Sequence, residues 1–184
     1  MSDFARLFDT SGNPAARRLT WLFCFISVVG LMSYGLYAQY VLYYDPCPLC
    51  LTQRAFYVGV GIFAMFGIFT YTRVGMQRVL AVLSALSAIG GIVTAGRQIW
   101  LQHLPPDKVP ECGPGLAYWI ENKPLFETVK LLFQGDGNCA EIDWVFLGFS
   151  MAVWSLAWFL LLLAASLYVL VRTRGASHGS EALA

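Results

Sequence analysis

Charged side chains are scarce in this chain. Asp, Glu, Lys and Arg make up 12% of its 184 residues, whereas soluble domains carry about a quarter. This scarcity argues against a soluble domain, and the absence of a basic block leaves nucleic-acid binding without support. The net charge of +1 says nothing about partners. Because hydrophobic residues make up 58% of the chain, a membrane protein is the first class to consider.

Four stretches contain no charged residue at all, and they are 18 to 28 residues long: 19–44, 55–72, 79–96 and 144–171. A membrane-spanning helix needs roughly 20 apolar residues. The helices of a soluble bundle would each show a polar face, and these stretches show none. The first is too long for a signal peptide and has no small-residue cleavage site after it, so we expect it to be retained. The sequence predicts an all-α membrane protein, one integral domain with a four-helix transmembrane bundle. The predicted spans are approximately 19–42, 50–71, 79–100 and 144–171.

Basic residues indicate the orientation of these spans, because cytoplasmic loops are enriched in Lys and Arg. One side would carry seven of them: Arg6, Arg17, Arg18, Arg73, Arg78, Arg172 and Arg174. The long segment on the other side carries Lys108, Lys123 and Lys130 against seven acids. We therefore expect cytoplasmic tails at 1–18 and 172–184, with outer loops at 43–49 and 101–143.

Four of the five cysteines fall in the two predicted outer loops. Cys47 and Cys50 lie in the first loop, and Cys112 and Cys139 lie in the second. Disulfides persist on the oxidising side of a membrane, so these four are candidates for redox chemistry. Cys24 lies inside the first span, where a lone cysteine is expected to act as a small buried apolar residue.

Three interpretations of the four outer cysteines compete. Two static disulfides would suit Cys112 and Cys139, which would close a loop of useful size. A four-thiolate metal site usually needs two close pairs, and only Cys47 and Cys50 are close. A thiol relay is favoured by that close pair, because a Cys-x-x-Cys ring constrains little chain and is the usual form of a redox-active pair.

The stretch DPCPLCLTQR gives this pair a reactive setting. Pro46 and Pro48 disfavour helix in the residues before them, so the second span should begin near Leu49 or Cys50. A helix N-terminus favours a thiolate at Cys50. Arg54 follows one turn later on the same face, where its charge could stabilise that thiolate or the oxygen of an acceptor. The alternative is an arginine that reaches to the lipid headgroups.

The second outer loop is too long for a mere connector. Leu125, Val129, Leu132 and Phe133 form one helical stripe. Pro124 suits its first turn and Gly135 its end. We expect a short helix that lies in the membrane interface or packs on the bundle.

The cysteines of this loop are expected at different depths. A proline-rich segment would hold Cys112 far out, and the turn at 135–137 would bring Cys139 close to the membrane. His103, at the outer end of the third span, matches the depth of Cys50 and Arg54 and could donate a hydrogen bond there.

At these residues the chain resembles the disulfide bond formation protein B (DsbB) family of bacterial inner-membrane quinone reductases. The resemblance covers about 19–171 and rests on three segments: PCPLCLTQR, QHLPPDKVPECGPG and GDGNCAEIDWVFLG. It implies a four-helix transmembrane bundle. It also implies a thiol:quinone oxidoreductase, which reoxidises a periplasmic thioredoxin-like dithiol oxidase (DsbA) and passes the electrons to ubiquinone or menaquinone.

The resemblance also implies residue roles. The thiolate of the partner would attack Cys112 and release Cys139, and Cys139 would then attack Cys47. Cys50 would be left as the thiolate that faces the quinone. Arg54 would hold a quinone oxygen, and His103 would lie near the quinone ring.

Rival interpretations come from other classes. A membrane protein whose outer disulfides only stabilise its loops would need no electron acceptor. A vitamin K epoxide reductase-like enzyme also combines four helices with a Cys-x-x-Cys pair, but that pair is expected near the last helix rather than before the second span. A thiol-ligated metal carrier is a further alternative.

Overall fold

The computed structural model describes residues 14–111, 124–142 and 144–181, and it confirms the bundle of four helices. The helices of spanning length are α1 (Pro14–Tyr40), α2 (Pro48–Phe69), α3 (Val74–Gln102) and α5 (Met151–Glu181). Each contains an apolar window long enough to cross a bilayer. The chain is therefore a multi-pass membrane protein. Predicted Cys112 lies outside the described residues.

Small residues allow the four helices to approach closely. A Cβ atom added at Gly91 of α3 would collide with the ring of Phe159 in α5. The same ring stacks on Tyr57 of α2, with ring centroids 4.0 Å apart. In α1 the indole of Trp21 occupies the space that a Cβ at Gly67 would need. Close packing of this kind associates helices in a membrane, because lipid chains are as apolar as the helix surfaces and no hydrophobic effect drives the helices together.

Two of the helices, α1 and α3, extend beyond the charge-free stretches and include charged residues at their ends. Helix α1 begins at Pro14 rather than near residue 19, and it includes Arg17. Arg17 is buried at this end of the bundle, and its Nη2 donates to the carbonyl of Tyr71 at 3.1 Å. Helix α3 likewise extends beyond its charge-free stretch at both ends, because it includes Arg78 and Arg97.

The fourth spanning helix begins later than residue 144, the start of the predicted span. Residues 145–150 form a β-hairpin instead, in which β1 (Val145–Phe146) pairs antiparallel with β2 (Phe149–Ser150). Leu147 and Gly148 make the turn with positive φ angles of 52° and 82°. Such a turn matches the twist of paired strands. Helix α5 then begins at Met151.

The segment before this hairpin contains the short helix that the apolar stripe predicts. Helix α4 (Leu125–Gln134) has Pro124 at its N-cap and Gly135, with φ of 71°, at its C-cap. It packs on α2, where Phe133 meets Phe56 edge to face and Thr52 donates to the carbonyl of Leu132 at 3.4 Å. Single 3₁₀ turns cover Pro106–Lys108 and Gly137–Cys139.

Candidate active site

Cys47 and Cys50 lie at the beginning of α2 with their side chains in contact. Cys47 is the N-cap residue, and its sulfur accepts a hydrogen bond from the backbone N–H of Cys50 at 3.3 Å. Pro48 occupies the first helical position, where the missing N–H of proline costs nothing. The Cys47 thiol donates to the Cys50 sulfur at 2.7 Å. The helix therefore starts at Pro48, slightly earlier than predicted, and places Cys50 in its first turn.

Cys139 joins this pair from the second connecting segment. It is fully buried, and it packs with Cys47, Leu49 and Leu101 in a small apolar cluster separate from the main core. The approach is close at Gly135, where an added Cβ would lie 2.7 Å from Cδ1 of Leu49. The fold thus brings together three of the four predicted cysteines. Among the described residues, Cys24, Cys47, Cys50 and Cys139 are free thiols.

The thiol of Cys47 is the central hydrogen-bond donor of the cluster. Its hydrogen bonds to Cys139 and to Cys50, together with burial, raise the pKa of Cys47 well above its usual range. The hydrogen bond that Cys139 receives from Cys47 lowers the pKa of Cys139, against the opposing effect of burial. Cys139 therefore holds a thiolate more easily than Cys47 does.

Two buried glutamine side chains lie beside these sulfur atoms, and one of them, Gln98, contacts both. Nε2 of Gln98, on α3, lies 3.3 Å from Sγ of Cys50 and 3.6 Å from Sγ of Cys47. Gln53, on α2, donates from its Nε2 to Oε1 of Gln98 at 2.8 Å. Sequence reasoning missed both residues. The available signal was an uncharged polar side chain beside an arginine, in Gln53-Arg54 and in Arg97-Gln98, at the end of an apolar span.

Arg54 lies one helical turn after Cys50, as predicted. Its Nη1 donates to Oε1 of Gln39 at 2.5 Å, and its Nη2 donates to the carbonyl of Gly35 at 2.9 Å. Both acceptors are neutral oxygen atoms on α1. They hold the guanidinium in place without neutralising its charge, so Arg54 keeps a positive field beside Cys50.

A cavity of about 240 Å³ adjoins Cys50 and Arg54 between α1, α2 and α5. Its wall is mostly apolar and aromatic, and Tyr57 and Ser155 bring polar atoms to it. Those two side chains contact each other through their hydroxyl oxygens at 3.0 Å. The apolar and aromatic wall residues are Leu31, Met32, Tyr34, Trp144, Met151, Ala152, Trp154 and Trp158.

A second cavity, of about 80 Å³, is lined by Cys47, Cys50 and Arg54. Its wall is more polar, and it includes the carboxyl groups of Asp45 and Glu141. Cys50 and Arg54 line both cavities. Cys50 therefore borders both an apolar cavity and a more polar one.

The structure does not bring His103 to this cluster. His103 follows the last residue of α3, is exposed, and places its Nδ1 2.8 Å from the carbonyl of Ile99. It is absent from the walls of the two cavities. Within the described ranges, no group of three or more His, Cys, Asp or Glu residues is arranged to hold a metal ion.

Fold and site together define a multi-pass membrane protein with a buried thiol cluster beside an apolar cavity. A family model described as disulfide bond formation protein DsbB matches residues 17–169. The chain therefore belongs to the DsbB family, and it is a disulfide-forming membrane oxidoreductase.

Relatives named disulfide bond formation protein B cover most of the chain. The one from Acinetobacter baumannii is 44% identical over 158 residues, which are 85% of this chain and 91% of that protein. The one from Saccharophagus degradans is 43% identical over 151 residues, 82% of this chain and 91% of the relative. The one from Methylococcus capsulatus is 44% identical over 158 residues, 84% and 93% of the two chains.

Proposed function

We propose that this protein is a thiol:quinone oxidoreductase. It takes electrons from a periplasmic DsbA-like dithiol oxidase of thioredoxin fold and passes them through two cysteine pairs to a membrane quinone. The observation that carries the proposal is the position of Cys50, in contact with Cys47 and at the wall of an apolar cavity that Arg54 also lines. Family membership supports the same activity.

In this mechanism the first exchange occurs in the second loop. The partner thiolate attacks Sγ of Cys112 in a Cys112–Cys139 disulfide, and Cys139 leaves with the electron pair of the broken S–S bond. The second thiolate of the partner then attacks the partner's other cysteine sulfur, the one bonded to Cys112 in the mixed disulfide. The partner departs oxidised, and Cys112 is left reduced. The hydrogen bond from Cys47 is absent while Cys47 is oxidised, but the backbone hydrogen bonds at Leu49 and Asp136 also lower the pKa of Cys139, and they suit it as a leaving group.

The second exchange passes the electron pair to the beginning of α2. The Cys139 thiolate attacks Sγ of Cys47, with which it is packed. The Cys47–Cys50 bond breaks, and Cys50 takes the electron pair. Cys47 suits the part of the attacked sulfur because its raised pKa disfavours it as a thiolate. The Cys50 thiolate then faces the apolar cavity, and a Cys139–Cys47 disulfide has formed. The reduced Cys112 attacks Sγ of Cys139 in that disulfide, which restores the Cys112–Cys139 bond and releases Cys47 with the electron pair. Cys47 and Cys50 then hold the two electrons taken from the partner.

The residues around the apolar cavity fit a quinone. Tryptophan, tyrosine and aliphatic side chains suit a planar ring with an isoprenoid tail. Arg54 is held by α1 beside Cys50, and its guanidinium can donate to a carbonyl oxygen. When bound, a quinone supplies an acceptor for two electrons and two protons. Ubiquinone and menaquinone both have these features.

His103 remains a candidate for contact with the quinone, as the resemblance implies. Its ring lies at the end of α3 and is bonded to the carbonyl of Ile99. The ring would have to break that hydrogen bond before it could contact the apolar cavity.

We also propose that the end of the bundle with the thiol cluster faces the periplasm in the bacterial inner membrane. Both termini would then be cytoplasmic. The distribution of Lys and Arg supports this orientation, and disulfide exchange needs the oxidising side.

The test mixes purified protein in detergent with a reduced DsbA-like oxidase and a soluble ubiquinone analogue, and it follows the loss of quinone absorbance. The wild type and Cys24→Ser should reduce the quinone, because Cys24 is buried in the core away from the cluster. Cys50→Ser should not. No reduction by the wild type, with both outer pairs trapped as permanent disulfides, would overturn the proposal in favour of loop disulfides that only stabilise.

A further inference from the structure

Apart from Cys47, Gln98 is the side chain that hydrogen-bonds the Cys50 sulfur in the described part of the structure. Its Nε2 lies within hydrogen-bond distance of both sulfurs, 3.3 Å from Cys50 and 3.6 Å from Cys47. The described hydrogen bonds of Arg54 go to Gln39 and Gly35 instead. The charge of Arg54 thus acts across space, whereas Gln98 offers an N–H directly to the thiols.

We propose that Gln98 is a further catalytic residue, whose side-chain amide donates a hydrogen bond to the Cys50 thiolate, and that Gln53 is the positioning residue that aims this amide. The proposal deepens the thiol:quinone activity and rests on it for the catalytic role. The hydrogen bond between Gln98 and Cys50 is a feature of the folded protein and does not depend on that activity.

The orientation of the Gln98 amide follows from its partner. Gln53 donates to Oε1 of Gln98, so the other end of the amide, Nε2, is turned toward the two sulfurs. A reversed amide would place an oxygen against the sulfur lone pairs and an N–H against the N–H of Gln53. Both glutamines are 5% exposed, and an unsatisfied polar group is costly at such a site. Once Cys50 is a thiolate, burial therefore favours the arrangement in which Nε2 of Gln98 faces the sulfur.

The chemistry gives this donor a function. When Cys139 attacks Cys47, the Cys47–Cys50 bond breaks and the electron pair goes to Sγ of Cys50. A hydrogen bond to an ionised acceptor is roughly twice as strong as one between neutral groups. The Gln98 bond therefore strengthens as negative charge develops on Cys50, which makes Cys50 a better leaving group. Because Nε2 also reaches Cys47, the same donor stays in contact with whichever sulfur carries charge.

The test measures the thiolate of Cys50 without quinone or partner. The full-length protein carries Cys24→Ser, Cys47→Ala, Cys112→Ser and Cys139→Ser, so that Cys50 is the sole thiol. The rate of alkylation by iodoacetamide is followed by mass spectrometry from pH 6 to pH 11. Gln98→Met should lower the rate at pH 7 about tenfold, the loss expected for one hydrogen bond to a charged group. At high pH, where every Cys50 is a thiolate, the rate of the variant should equal or exceed that of the parent, because a less stabilised thiolate is the better nucleophile.

Two further variants separate orientation and folding from the proposed contact. Gln53→Met should lower the rate at pH 7 less than Gln98→Met does, because it frees the amide without removing it. The double variant Gln53→Met/Gln98→Met leaves neither amide unpaired, and it should show the full loss even if Gln98→Met alone fails to fold. Gln77→Met is the matched control on the same helix, since Gln77 is also a buried amide but bonds Trp21 and the carbonyl of Gly67 and lines neither cavity. It should leave the rate unchanged.

Equal alkylation rates at pH 7 in the double variant and the parent would overturn the proposal. A loss that persists unchanged at high pH would also overturn it, because it would report access to Cys50 rather than ionisation. A positive result together with a wild type that reduces no quinone would reject the proposed function while leaving the hydrogen bond established. The two failures are therefore distinguishable.

Discussion

Arg54 is the residue whose charge is best placed to act on an acceptor in the apolar cavity. Two neutral oxygens on α1 fix its guanidinium beside Cys50. Truncation to alanine removes both the positive field and the donor that would hold a quinone oxygen, while Cys47 and Cys50 keep their places at the beginning of α2.

We expect Arg54→Ala to lower kcat/KM for the quinone by about tenfold or more, since a hydrogen bond to a charged group contributes about 1.5–3 kcal/mol. The rate at which reduced partner reduces the cysteines in the absence of quinone should change much less. Steady-state kinetics with varied quinone and single-turnover thiol trapping measure the two quantities. Arg97→Ala is the control, because Arg97 stacks over Trp100 and lies in neither cavity. Unchanged quinone kinetics in Arg54→Ala would remove Arg54 from the site.

Cys139 provides a prediction about pH. The hydrogen bond from Cys47 lowers its pKa, so its thiolate should form at a lower pH than that of an ordinary cysteine, about 8.5. Cys47→Ala removes this donor but leaves Cys139 buried, so the pKa of Cys139 should rise above that of the parent. The ¹³Cβ chemical shift of labelled Cys139, followed through a pH titration of reduced protein in micelles, reports it. An unshifted or lower midpoint in Cys47→Ala would contradict the hydrogen bond.

At the scale of the element, the end of α4 decides where Cys139 lies. Gly135 combines a left-handed backbone, φ 71°, with close packing on Leu49 and Leu101. Both features oppose a side chain at this position. The 3₁₀ turn that carries Cys139 follows directly, so a displacement at Gly135 moves that cysteine away from Cys47.

We expect Gly135→Ala to slow oxidative cross-linking of Cys47 to Cys139 and to destabilise the protein. Gly148→Ala is a matched control, because Gly148 also has positive φ, 82°, but an added Cβ there would meet nothing within 4 Å. The control should lose about 1–2 kcal/mol through backbone strain alone, and Gly135→Ala about 1–3 kcal/mol more through overpacking. Chemical unfolding and cross-link yield measure these effects. Equal losses in both variants would mean that the contact with Leu49 is unimportant.

Elements could be predicted where local sequence determines them. Helix α4 follows from one apolar stripe between Pro124 and Gly135, and both flanking residues cap it. The hairpin before α5 could not be predicted in the same way. Residues 144–150 are as apolar as the helix that follows, so a count of charges merges the two. Only the turn at Leu147 and Gly148 separates them.

The candidate site shows the same limit. Cys47, Cys50 and Arg54 are neighbours in sequence, and spacing alone placed Arg54 one helical turn after Cys50. Gln98 reaches the same sulfurs from another helix. Its partner in α2, Gln53, gives no sign of that contact in the sequence. Tertiary packing alone determines which polar side chain of α3 faces the thiols.

At the scale of the whole molecule, the proposed activity requires a fixed orientation in the membrane. The thiol cluster and the loop between α2 and α3 lie at opposite ends of the bundle, because each of these helices spans it. If the cluster faces the periplasm, the loop at 70–73 faces the cytoplasm.

Single cysteines in a cysteine-free protein test this orientation. A membrane-impermeant maleimide applied to intact cells with a permeable outer membrane should label Lys108→Cys at the end with the thiol cluster. It should label Gly75→Cys, at the opposite end, only after the inner membrane is opened. Both residues are outside the main core. Labelling of Gly75→Cys in intact cells would reverse the proposed topology.

The burial of Cys139 against Cys47 has a consequence for biogenesis. A chain is synthesised from its N-terminus, so α1, α2 and α3 are complete before Cys139 exists. During that interval the pair at the beginning of α2 lacks the turn that later covers it, and other thiols can reach it. The thiol cluster is therefore completed late, when the 3₁₀ turn at Gly137–Cys139 packs against helices that are already in place.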